Sequence, residues 1–186
     1  MDFDYSKAIK NIAWYILLVH YHFNIGSIDV FPDWLGYILL YKAIETIGRI
    51  QPSAKLLEKF SIVMIANSVL QIVYKMFDFT PQSYVYGLIM AIIHIYLEFQ
   101  ILTDIWHIAQ KYQADSGNKI PMLRNITTFT YTVSFVFLYS DWNVYIIYGA
   151  AVINIIMKTY LAFILFVHAD DEKLKNITLY ICQPVI

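Results

Sequence analysis

Two pairs of polar residues at helical spacing carry the strongest chemical signal: His94 with Glu98, and Asn154 with Lys158. Residues four apart share one face of a helix, so each pair shows two polar groups to the same neighbour. Asn67, Gln71 and Lys75 form a second stripe, Lys42 and Glu45 stand three apart, and His20 shares a face with Asn24. In an apolar setting, such groups bind a solute, relay a proton or tie helices together. The histidines also raise metal ligation. His94 with Glu98, and Asp104 with His107, each offer two ligands, while His20 and His22, two apart, point away from each other. Metal sites use three or more converging ligands, so no metal and no cofactor is expected. The lone Cys182 makes neither a multi-cysteine zinc site nor a disulfide scaffold. There is no phosphate-binding glycine loop, Gly-x-Ser-x-Gly elbow or His-Glu-x-x-His motif, and no nucleophile is set beside a base, so an enzyme is not expected.

The elements that must position these residues follow from hydrophobicity. Of 186 residues, 59% are hydrophobic and 15% charged, where soluble domains average about 45–50% and about 25%. Mean hydropathy is +0.55. That much apolar surface excludes disorder. A net charge of −1 with no basic stripe excludes a nucleic-acid partner. A helix crosses the hydrocarbon core, about 30 Å thick, with about 20 mainly apolar residues. Six segments approach this: 8–25, 33–49, 56–77, 83–107, 123–140 and 142–168, of which the second and fifth are short. A soluble helical bundle of this size needs polar outer faces, which most of these segments lack. The predicted fold is all-α: a polytopic membrane helix bundle of about six transmembrane helices over 1–169, with a short cytoplasmic tail over 170–186.

Charge placement sets the predicted orientation. Lys7 and Lys10 lie at the start of the first segment, Arg49, Lys55 and Lys59 between or at the facing ends of the second and third, Lys111, Lys119 and Arg124 between or at the facing ends of the fourth and fifth, and Lys173 and Lys175 follow the sixth. The alternate connections carry Asp29, Asp33, Asp78 and Asp141 and no Lys or Arg. By the positive-inside bias both termini are cytoplasmic. Trp34, Tyr37, Tyr84, Trp142 and Tyr145 fall at the opposite, outer interface, where amphipathic rings prefer the headgroup level. The acidic start, Met1-Asp2-Phe3-Asp4, precedes no small-residue cleavage site, so the first segment is expected to stay as an anchor.

Gly26-Ser27 turns the chain after the first segment, and Asp33 caps the second, its carboxylate near the positive helix end. The stretch Ile28-Asp29-Val30-Phe31-Pro32-Asp33-Trp34-Leu35-Gly36-Tyr37-Ile38-Leu39 resembles a hairpin recurrent in small multi-pass membrane proteins of Gram-positive bacteria. The resemblance implies a bacterial plasma membrane and brings no activity with it.

Depth follows from helical rise. His94 and Glu98 lie 10 and 14 residues after Tyr84, and Asn154 and Lys158 lie 10 and 14 after Val144. Both helices run inward, so the pairs sit at matching depth, roughly 15 to 21 Å in. Glu98 and Lys158 are natural partners, because an unpaired charge in lipid is costly. The expected polar core is Glu98, Lys158, His94, Asn154 and Asn67, with Glu45, Lys42 and Gln71 around it. Its functional reading is a small-solute or proton site, in a transporter or a substrate-binding membrane subunit. Its structural reading is a polar clamp, in a non-catalytic accessory, immunity or signalling subunit. Expected partners are the lipid bilayer and a small solute or a partner membrane protein.

Overall fold

The computed structural model describes residues 4–21, 24–25, 28–29, 33–77, 84–138, 144–171 and 174. Among the described residues six helices follow in chain order: α1 Tyr5–His20, α2 Asp33–Ile47, α3 Leu57–Met76, α4 Tyr84–Lys111, α5 Ile120–Leu138 and α6 Val144–Ala169. Short 3-10 turns, Pro52–Leu56 and Asp115–Lys119, lead into α3 and α5. Between α1 and α2, Asn24 pairs with Asp29 and Ile25 with Ile28 in a minimal antiparallel ladder.

Each segment read from hydrophobicity holds a helix, but the first is displaced. It starts early because Asp4 caps it, the carboxylate accepting from the Lys7 N–H at 3.0 Å. It ends early because Tyr21 turns extended, its N–H still reaching the Leu17 carbonyl. At 16 and 15 residues, α1 and α2 are the shortest helices, about 24 and 22 Å long. The 28 and 26 residues of α4 and α6 make about 42 and 39 Å.

Packing follows chain order. Each helix lies against the next, and α6 returns to α1, so the six close into a ring. α1 buries Tyr5, Ile9, Ile12, Tyr15, Ile16 and Val19, an i, i+3, i+4 stripe, against α2 and α6. The close approach of α1 and α2 depends on Gly36, where a Cβ would stand 2.7 Å from Val19 Cγ2. α2 covers only the first part of α3, where Leu57, Ser61, Met64, Asn67 and Ser68 are buried. Beyond Ser68 the side chains from Val69 to Val73 are exposed.

One end of the ring is tied by a hydrogen-bonded chain. Ser116 donates to Asp171 at 2.6 Å. Its hydroxyl proton is thereby used, so His168 Nδ1–H donates to Ser116 Oγ at 2.8 Å. His168 Nε2 is left to accept from the Tyr5 hydroxyl at 3.4 Å. Lys10 pairs with Asp170 at 2.8 Å beside it. The start of α1, the turn before α5 and the end of α6 are thus held at one level.

Among the described residues three helical stretches, Pro52–Met76, Tyr84–Lys111 and Tyr148–Ala169, are long and apolar enough to cross a membrane. Only 28%, 33% and 33% of their most apolar windows are buried against the rest of the chain. Their hydrophobicity therefore faces outward: Ile62, Val69, Ile92, Val152, Ile156 and Phe163 are all exposed. A protein dissolved in water keeps such patches to a few hundred Å². Apart from the two-residue strands, the described residues are all-helical, and three of these helices are compatible with a membrane protein.

Gly36→Val should cost about 1–3 kcal/mol, because overpacking forces α1 from α2. Gly149→Ala, with nothing within 4 Å of the new Cβ, should leave stability unchanged or raise it. Thermal unfolding in detergent distinguishes the two, and equal effects would contradict this packing.

Candidate functional site

The middle of the ring is occupied by Glu98. Its helix, α4, buries Ala91, His94, Leu97, Glu98, Ile101 and Ile105, a stripe that turns Glu98 inward. From α6, Lys158 Nζ donates to Glu98 Oε1. The other carboxylate oxygen, Oε2, meets two imidazoles: His94 Nε2 one turn earlier on α4, at 3.6 Å, and His20 Nε2 at the end of α1, at 3.8 Å. Lys158, Glu98 and His94 are only 2%, 5% and 5% exposed. Charges so placed must be paired, and separating a buried pair costs about 3–5 kcal/mol.

The ring nitrogens turned away from Glu98 are also held. His20 Nδ1 lies 2.9 Å from the Ile16 carbonyl, which only accepts, so Nδ1 carries the proton. His94 Nδ1 lies 2.9 Å from the Tyr37 hydroxyl on α2. The two imidazoles face each other with centroids 5.3 Å apart, and Tyr131 of α5 packs on both, at 5.2 Å from His94 and 6.4 Å from His20. Four helices, α1, α2, α4 and α6, thus supply polar groups, and α5 supplies an aromatic wall. A cavity of about 10 Å³ opens beside Glu98, lined by His94, Thr127, Thr128, Tyr131 and Lys158. That is room for about one water molecule.

The structure gathers part of the expected constellation. Glu98, Lys158 and His94 converge. Asn154 and Asn67 are buried but bond elsewhere: Asn154 Nδ2 donates to Thr130 Oγ1 of α5 at 3.3 Å, and Asn67 Oδ1 accepts from the Tyr86 hydroxyl. Both join neighbouring helices, as amides do in membranes. The outer group does not assemble. Lys42 is exposed and Glu45 half-buried, because the buried stripe of α2 runs through Gly36, Leu40, Ala43, Ile44 and Ile47. Gln71 is exposed because it lies beyond the part of α3 that α2 covers.

Three contributors were not expected at this site. His20 was expected near the outer end of its helix, but α1 stops at the level of Glu98 instead. Tyr37, expected at the outer interface, is 3% exposed and bonded to His94. Tyr131 lies in a segment whose sequence shows only a small hydroxyl stripe. His20 also alters the metal count, since His20, His94 and Glu98 offer ligand atoms all within 4.8 Å of one another.

No protein-family model matches the chain, and neither the curated proteins nor the solved structures yield a match. The site must be read from its own chemistry.

Lys158→Met strands the Glu98 carboxylate and should lower the unfolding midpoint in detergent by on the order of 10 °C. Adding Glu98→Gln should restore part of that loss, because no lone charge then remains buried. Additive losses would show that the two residues do not act as a pair.

Proposed function

We propose that the chain is a bacterial plasma-membrane protein with both termini cytoplasmic, and that its central polar site binds and passes a small cation or a proton. All six helices lie in the bilayer, α1 and α2 being a short pair whose joined end reaches the level of Glu98. The basic residues Lys7, Lys10, Arg49, Lys55, Lys111 and Lys119 gather on the side tied by His168, which supports a cytoplasmic assignment for that side. One observation carries the functional reading: a buried carboxylate whose free oxygen faces two imidazoles beside a cavity the size of a water molecule. Ionisable groups at membrane depth mark ion and proton routes. So small a space admits a proton or a single ion more readily than an organic solute.

A second reading has its own support. The Asn154–Thr130 and Asn67–Tyr86 bonds join adjacent helices and need no ligand. On that reading the chain is an accessory, immunity or signalling subunit, and its polar core is a clamp.

Proteoliposomes separate the two. With a pH dye or a divalent-metal dye inside, wild-type protein should dissipate an imposed proton or Zn²⁺ gradient faster than empty vesicles. Glu98→Gln, incorporated equally, should not. Wild-type flux equal to that of empty vesicles for both probes, with Glu98→Gln altering only thermal stability, would establish the clamp. Reporter fusions test orientation: a C-terminal fusion should report cytoplasm, and one inserted within 78–83 should report the exterior.

A further inference from the structure

We propose that His20, His94 and Glu98 form a binding site for one divalent transition-metal ion of the zinc class. The proposal deepens the cation reading above and rests on it.

Donors bound about 2.0–2.1 Å from zinc at tetrahedral angles stand roughly 3.4 Å apart. Glu98 Oε2 is 3.6 Å from His94 Nε2 and 3.8 Å from His20 Nε2, and all three donors lie within 4.8 Å of one another. Shifts of a few tenths of an ångström, with a rotation of one ring, would bring the three onto one ion.

The hydrogen bonds add a second argument. Because His20 Nδ1–H is committed to the Ile16 carbonyl, the neutral ring directs the lone pair of Nε2 toward Glu98. That nitrogen is buried and has no hydrogen-bond partner. A lone pair facing a carboxylate oxygen is unfavourable until a cation stands between them. An N–H given to a backbone carbonyl is also the usual outer contact of a metal-bound histidine. Tyr37 can serve His94 in the same way, its hydroxyl oxygen accepting Nδ1–H so that Nε2 is free to ligate.

The donor set selects the metal. Two imidazoles and one carboxylate suit zinc and its first-row neighbours, not magnesium or calcium, which prefer oxygen alone. The cavity bounded by Thr127, Thr128 and Tyr131 leaves a fourth position for water or an exchanging ligand. Lys158 occupies only Oε1, so Oε2 remains for the ion. The ammonium and the metal nonetheless compete for one carboxylate, and each weakens the hold of the other.

Tag-free full-length protein in detergent, titrated with Co²⁺, should show a visible d–d band that saturates at one ion per chain and is displaced by Zn²⁺. His20→Ala and His94→Ala should each weaken binding at least tenfold, and Tyr37→Phe by about tenfold. Zn²⁺ should raise the unfolding midpoint of Lys158→Met more than that of wild type, since the metal replaces the missing cation. If a histidine variant fails to fold, X-ray absorption on the wild-type zinc complex decides, and two imidazoles in the first shell are expected. Absence of a saturable band, or a band unaffected by both histidine changes, overturns the site. Failure here with retained Glu98-dependent proton flux removes the metal alone; loss of both removes the cation reading with it.

Discussion

One buried carboxylate organises this molecule. Glu98 lies among apolar side chains, where a lone charge is costly. Its own helix supplies one imidazole, α6 supplies an ammonium, and the end of α1 supplies a second imidazole. Neither member of the Glu98–Lys158 pair can leave without stranding the other's charge. The pair therefore fixes the relative height of α4 and α6. The Tyr37–His94 bond fixes α2 against α4. The ring of helices closes around polar contacts, and ordinary apolar packing fills the levels between them.

The exterior obeys the opposite rule to that of a water-soluble bundle. Isoleucine, valine and phenylalanine side chains of α3, α4 and α6 point outward, while Asn67, His94, Glu98, Asn154 and Lys158 are buried. In lipid there is little hydrophobic gain from bringing helices together, so packing and interhelical hydrogen bonds must do so. The Asn154–Thr130 and Asn67–Tyr86 bonds fill that role away from Glu98. The Tyr5–His168–Ser116–Asp171 chain fills it at one end. Gly36 fills it by absence, letting α1 and α2 approach where any side chain would collide.

Depth was legible in the sequence; direction around the helix axis was less so. Counting residues from the ends of two long helices placed Glu98 opposite Lys158, because rise per residue varies little. The same count put Lys42, Glu45 and Gln71 near a polar core they do not enter, since depth says nothing of which face a residue occupies. The stripe of α2 turns Lys42 outward, and α2 is too short to cover Gln71. His20 was placed too far out for a different reason. Apolar residues continue to Ile25, so hydrophobicity alone extends α1 past its end, whereas capping by Asp4 and the extended turn at Tyr21 shift it toward the N-terminus. That shift brings His20 to Glu98 and turns two potential ligands into three.

The charge on Glu98 is the centre of the account, and infrared difference spectroscopy of wild type against Glu98→Gln reads it directly. The substitution should remove the symmetric and antisymmetric stretches of an ionised carboxylate. Loss of a protonated carboxyl C=O stretch instead, shifting in D₂O, would contradict it.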